Sequence, residues 1–143
     1  MYDTIVVPVD GSPEARTAAE QARDLAADIG SSVHLFYVIP ATGYLFGVDA
    51  VVDVDKASSR VAELATDVFG DSSVDVQTTV RRGDQETLTL AFLEEVDADL
   101  VVLGRKETPK VRDYLFWSTP AQIVRESEIS VLLAYPDADG GDR

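Results

Sequence analysis

Apolar positions along the chain follow two rhythms that take turns. Thr4-Ile-Val-Val-Pro-Val9 is a continuous β-branched run, too short for a helix and suited to a strand covered on both faces. Ser12-Pro13 follows as a helix start: the hydroxyl can cap free backbone N–H groups, and the fixed φ of proline fits the first helical position. Ala15, Ala18, Ala19, Ala22, Leu25, Ala26 and Ile29 then recur at helical spacing, and Gly30 stops the helix. The first unit is therefore β-α.

The same alternation continues to the end. Ser32 to Ile39 reads as a second strand, and Asp49 to Phe69 as a helix turning Val52, Ala57, Val61, Leu64, Ala65 and Val68 inward, ended by Gly70. Val74 to Val80 reads as a third strand. Asp84 caps a third helix carrying Leu88, Ala91, Phe92 and Val96. Leu100 to Leu103 forms a fourth strand, a short helix begins near Pro120, and Ile129 to Tyr135 forms a fifth strand. Residues 1–136 read as one domain, and 137–143 as a polar tail. Strand and helix in strict alternation predict a parallel sheet with helices on both faces, an α/β doubly wound fold. Ligands on such sheets sit beyond the carboxyl ends of the strands, where strand order reverses, so the loops after strands one, two and four are the candidates.

Composition narrows the chemistry. The 143 residues contain no cysteine, which excludes a disulfide framework, a thiolate nucleophile and any Cys-based metal site, and points to the cytoplasm. The start, MYDTIVVPVDG, has no basic region and reaches Pro8 and Asp10 early, unlike a signal peptide, and no apolar run is long enough for a membrane helix. A net charge of -14 argues against duplex nucleic acid as a partner. Asp outnumbers Glu 17 to 9 and Arg outnumbers Lys 9 to 3, a balance that fits a high-salt cytoplasm, where repulsion is screened.

Three segments, IVVPVDGSPEARTAAEQARDLA, GDQETLTLAFLEEVDADLVVLGR and IVRESEISVLLAY, together resemble the universal stress protein family in order and spacing over nearly the whole chain. The resemblance implies a five-stranded parallel sheet in the order 3-2-1-4-5, Rossmann-like and similar to the adenine nucleotide alpha hydrolases. It also implies a homodimer formed through the last strand, here Ile129, Val131, Leu132, Leu133 and Tyr135. Members that bind ATP carry Gly, two residues, Gly, nine residues, Gly and a hydroxyl residue after strand four. In this chain those positions hold Gly104, Glu107, Trp117 and Ser118. Glu107 brings a carboxylate where phosphate oxygens would lie, and Trp117 brings a large ring to a helix start, so both departures oppose triphosphate binding. The resemblance further places Asp10, Val38, Leu103, Gly104, Ser118 and Thr119 at a nucleotide site, with ATP or AMP as the ligand of a retained site and no cofactor expected of a lost one.

Each candidate also has a plainer reading. Ser118-Thr119-Pro120 fits an ordinary helix cap, and Asp10 fits a turn aspartate holding backbone N–H groups after a strand. Arg105, Lys106, Lys110 and Arg112 gather a third of the 12 basic residues into one loop, with Arg81 and Arg82 at the end of strand three. Arg105 and Lys106 could replace lost backbone contacts to an anion, or the whole set could pair with carboxylates. Tyr44, Phe46, Tyr114, Phe116 and Trp117 fall in loops that this fold brings to one edge, where they could fill the nucleotide cleft, form a minor core or present a patch. His34, the sole histidine, lacks a second metal ligand or a nucleophile and reads as a packed strand residue. Asp53 and Asp55 are generic in so acidic a chain. No metal site and no catalytic residue is predicted, and the His-x-Gly-His and Ser-Gly-Gly-x-Asp-Ser signatures of related ATP-using enzymes are missing. The reading favoured is a non-enzymatic, homodimeric regulatory module with weakened or lost ATP binding and an unidentified protein partner; the alternative is an ATP- or AMP-binding switch.

Overall fold

The structure, a computed structural model, describes residues 2–40, 44–45, 48–49, 54–104 and 127–135. Five parallel strands form one sheet: β1 (Thr4–Val9), β2 (Ser32–Pro40), β5 (Val76–Gly83), β6 (Leu100–Gly104) and β7 (Ser130–Ala134), in the spatial order β5-β2-β1-β6-β7. Counted as the main strands, that is 3-2-1-4-5, the expected order. A two-stranded antiparallel ribbon, β3 (Tyr44–Leu45) with β4 (Val48–Asp49), stands apart from it. Helices α1 (Pro13–Ile29) and α2 (Val54–Phe69) cover one face, and α3 (Gln85–Glu95) covers the other.

The run that opens the chain is apolar throughout because β1 is central and buried on both sides. Ile5, Val7 and Val9 join Val33 and Leu35 of β2 under the alanine stripe of α1 and under Val61, Val68 and Phe69 of α2. Val6 points the other way, with Phe36, Val101 and Leu103, against Phe92 and Leu93 of α3. The alternation of side chains along a strand thus feeds two cores from one stretch. The Asp99 carboxylate ties β1 to β6, its Oδ2 accepting from the backbone N–H of Asp3 at 2.9 Å and of Thr4 at 3.0 Å. Helix ends follow the expected chemistry: the Ser12 hydroxyl accepts from Ala15 N–H at 3.1 Å, Gly30 closes α1 at φ 77°, and Asp84 Oδ2 accepts from Thr87 N–H at 2.9 Å.

Several boundaries and faces depart from the sequence reading. Helix α2 begins at Val54, not Asp49, because Asp49 pairs with Tyr44 in the small ribbon, where Tyr44 and Val48 suit extended pairing. The third main strand starts two residues later than Val74 and runs on through Arg81 and Arg82. Val74 N–H is bent into a turn by the Ser72 hydroxyl at 3.1 Å, while Arg81, Arg82 and Gly83 pair with Val38, Ile39 and Pro40. On α3, Thr89 is buried and Ala91 exposed, the reverse of their hydropathy, because Phe92 and Leu93 fix the inward face and Thr89 falls on it. Ile29, at the foot of α1, is 45% exposed. The short helix expected near Pro120, the inward Val52 and the tail lie outside the described residues.

His34 sits on β2 with its ring edge-on to Phe92, centroids 5.9 Å apart, and Phe92 in turn stacks flat on Phe36 at 4.2 Å. Its Nδ1 is buried without a hydrogen-bond partner among the described residues. Burial holds the imidazole below its ordinary value of 6.5, partly offset by the nearby Asp75 carboxylate. A packed strand residue is what the sequence predicted.

Two stability tests follow from these contacts. Replacing Asp99 with alanine removes two charge-assisted bonds and is expected to cost about 1–2 kcal/mol in urea unfolding. For His34, the folded state takes up its proton at lower pH than the unfolded state, so the unfolded state binds more protons and stability is lost as pH falls below 6.5. Unfolding midpoints taken down to about pH 5, above the bulk of carboxylate titration, should therefore drop in the native protein and stay flatter in His34→Leu.

Candidate functional site

The carboxyl edge of the sheet gathers the ends of β1, β2 and β6. After β1 the chain turns sharply: Asp10 Oδ1 accepts from Ser12 N–H at 2.9 Å, and Gly11 takes a φ of 83°, which only glycine adopts without strain. That contact is the turn role predicted for Asp10. Ser12 then starts α1, so Asp10, Gly11 and Ser12 are held in place by the helix they introduce.

Gly104 ends β6 directly beneath that helix. A Cβ built there would lie 2.1 Å from the Glu14 carbonyl oxygen and 2.9 Å from the Glu14 Cβ, so glycine is demanded by the close approach of α1 to the sheet. The sequence flagged Gly104 for a phosphate, while the structure gives it a packing reason that needs no ligand. Both Asp10 and Gly104 border the first turn of α1.

The side chains of Val38 and Leu103 do not join them. Leu103 is buried in the core on the α3 face, and Val38 packs partly buried against the same core. The strand period decides this: Tyr37, not Val38, faces the α1 and α2 side. On that side a groove of about 460 Å³ runs between the two helices and reaches Asp10, Gly11 and Ser12, with Val9 and Tyr37 in its wall. Tyr37 is the groove residue that the sequence reading missed, and parity with Leu35 on the strand was the available signal.

Other candidates divide between the described and the undescribed residues. Arg81 is not a free cation: its Nη2 lies 2.6 Å from Glu95 Oε2, and its guanidinium carbon lies 5.3 Å from the Phe92 ring centroid. Of the residues assigned to the dimer edge, Leu132, Leu133 and Tyr135 are 39%, 42% and 46% exposed. Val131 of β7, and Ile129 just before it, are partly buried against the α3-side core. The Tyr135 carbonyl accepts from Gln21 Nε2 of α1 at 2.9 Å. Arg105, Lys106, Glu107, Lys110, Arg112, Trp117, Ser118, Thr119, Phe46, Tyr114 and Phe116 lie outside the described residues, as do the side-chain contacts of Tyr44. Among the described residues no group of His, Asp and Glu is arranged to hold a metal ion, and no helix is long and apolar enough to cross a membrane.

This fold is shared with known proteins. The family model for the universal stress protein family matches residues 1–134, and the chain belongs to that family. Universal stress protein G of Salmonella typhimurium is 28% identical over 141 residues, covering 93% of this chain and 99% of the relative. Among solved structures, the universal stress protein UspA of Lactobacillus plantarum superposes with a TM-score of 0.76 at 22% identity, covering 93% of this chain and 97% of that one. A universal stress protein in complex with cAMP gives 0.71 at 22% identity, with 93% and 96% covered. The universal stress protein of Archaeoglobus fulgidus in complex with dAMP gives 0.66 at 21%, with 93% and 98% covered.

The packing role of Gly104 can be tested apart from any ligand. Gly104→Ala is expected to destabilise the fold by about 2 kcal/mol or more, since the obstructing atoms are backbone and cannot rotate away. Denaturant unfolding without nucleotide checks it, and an unchanged midpoint would mean that α1 does not sit this close.

Proposed function

We propose that this chain is a non-enzymatic stress-response module, a homodimer through β7, whose carboxyl edge binds adenine nucleotide weakly or not at all. The observation that carries the reading is the terminal strand: Leu132 and Leu133, with Tyr135 just past the strand, are exposed on a strand that, among the described residues, has β6 as its one neighbour. An apolar edge strand invites pairing, and a two-fold partner satisfies it. The packing explanation of Gly104 supports weak phosphate binding, because the glycine need not have been kept for phosphate. Glu107 and Trp117, standing where ATP-binding members have glycine, support it further. Residues 1–136 form the stress-protein domain and 137–143 a polar tail. The acidic surface suits a high-salt cytoplasm and disfavours nucleic acid, and the function is exercised through a protein partner.

A second reading, an AMP- or ATP-binding switch, is favoured by the relatives that hold cAMP and dAMP. In it the nucleotide would use Asp10, the backbone near Val38 and Leu103, Gly104, Ser118 and Thr119, with Arg105 and Lys106 compensating for the missing glycines.

One set of measurements separates the two. Light scattering at micromolar concentration, in dilute and in molar KCl, should give a dimer, and Leu133→Glu should give a folded monomer. Calorimetry with AMP and with ATP and magnesium should show a Kd no tighter than about 100 μM. Micromolar affinity abolished by Asp10→Ala would establish the switch instead, and a native monomer would remove the dimer.

A further inference from the structure

The groove between α1 and α2 lies on the sheet face opposite the side chains of Val38 and Leu103 and meets the proposed nucleotide edge only at the turn from Asp10 to Ser12. Its volume, about 460 Å³, is that of a small-molecule cleft, and Val9, Tyr37, Val61 and Leu64 give it an apolar lining drawn from both strands and α2. Arg16 and Arg60 stand on opposite helices at its rim.

The two guanidinium groups are in different situations. Arg16 is matched within the protein, with Nη1 at 3.7 Å from Asp67 and Nε at 3.8 Å from Glu20. Arg60 has no ion pair or hydrogen bond among the described residues, on a chain with a net charge of -14. The Arg16 and Asp67 contact puts those two positions level along helices that both run against the strands. Arg60 is seven residues nearer the start of α2, about 10 Å along its axis, and Ser12 is four residues nearer the start of α1, about 6 Å. Arg60 therefore overhangs the mouth of the groove, beside the turn at Asp10 to Ser12.

Charge limits what can enter. Asp10, Glu63 and Asp67 also line the groove and would repel a polyanion. Asp10 holds the Ser12 N–H and Asp67 faces Arg16, which leaves Arg60, among the described residues, as the unmatched cation over an apolar trough. We propose that this groove binds a small aromatic monocarboxylate, its carboxylate paired with Arg60 and its ring laid against Tyr37 and Leu64. A guanidinium fork matches a carboxylate in two parallel bonds, and the trough takes the ring.

The test uses 2-naphthoate as the probe and 2-naphthamide as its uncharged counterpart, by calorimetry and ligand-observed NMR on the full chain. Saturable binding of 2-naphthoate is expected. Arg60→Gln, an exposed change that leaves the fold intact, should weaken it about tenfold, the loss of one charged hydrogen-bond pair. The amide should lose a similar factor. Leu133→Glu on β7 and excess AMP should leave the affinity unchanged. Absence of saturable binding, indifference to Arg60→Gln, or competitive displacement by AMP would each overturn the proposal, the last by assigning the aromatic to the nucleotide edge.

Discussion

The approach of α1 to the sheet sets the geometry of everything near the carboxyl edge. Its tightest point is the Glu14 carbonyl over Gly104, where not even a methyl group fits. Ala15, Ala18, Ala19, Ala22 and Ala26 keep the rest of the helix near as well, since each small side chain is buried and none holds the helix off. A stripe of leucines would bury more area but lift α1 away from β1 and β6. The turn at Asp10, Gly11 and Ser12 would rise with it, and the groove beside α2 would change shape. Close packing here exchanges hydrophobic area for position.

That constraint shows why the fold was legible and the site only partly so. Strand and helix alternation needs no more than local periodicity, so β1, the start and end of α1 and the cap at Asp84 could be read directly. Faces are harder, because they depend on what lies opposite. Thr89 is buried because Phe92 and Leu93 set the inward direction of α3, and no property of threonine announces that. Val131 lies on the edge strand yet packs partly buried against the α3-side core, since alternate residues of even a terminal strand face inward. Gly104 has a packing cause that the sequence could not announce, because a glycine that admits a ligand and a glycine that admits a neighbouring helix are the same letter.

The two faces of the sheet carry different chemistry at the same edge. On the α3 side, Phe36, Phe92 and His34 form an aromatic layer closed by the Arg81 guanidinium, which Glu95 neutralises. That arrangement spends a cation on packing and leaves little for a ligand. On the α1 and α2 side the floor is apolar and open. The turn at Asp10 lies at the carboxyl edge common to both, so a residue that sequence assigned to one site borders two.

Charge economy makes the remaining point. With 12 basic residues against 26 acidic ones, any described guanidinium could have found a carboxylate, and most did. Arg16 meets Glu20 and Asp67, Arg81 meets Glu95, and Arg23 meets Asp24 while donating to the Val68 carbonyl at 3.0 Å, closing the end of α2. Exposed pairs of this kind contribute at most about 1 kcal/mol each, so their stability value is slight. Their effect is on availability, because a paired guanidinium must give up its partner before it can take a ligand. Arg60, with Glu63 three residues away, has no ion pair among the described residues and so no such exchange to make there, and the groove it overhangs is where an incoming carboxylate meets little competition from them.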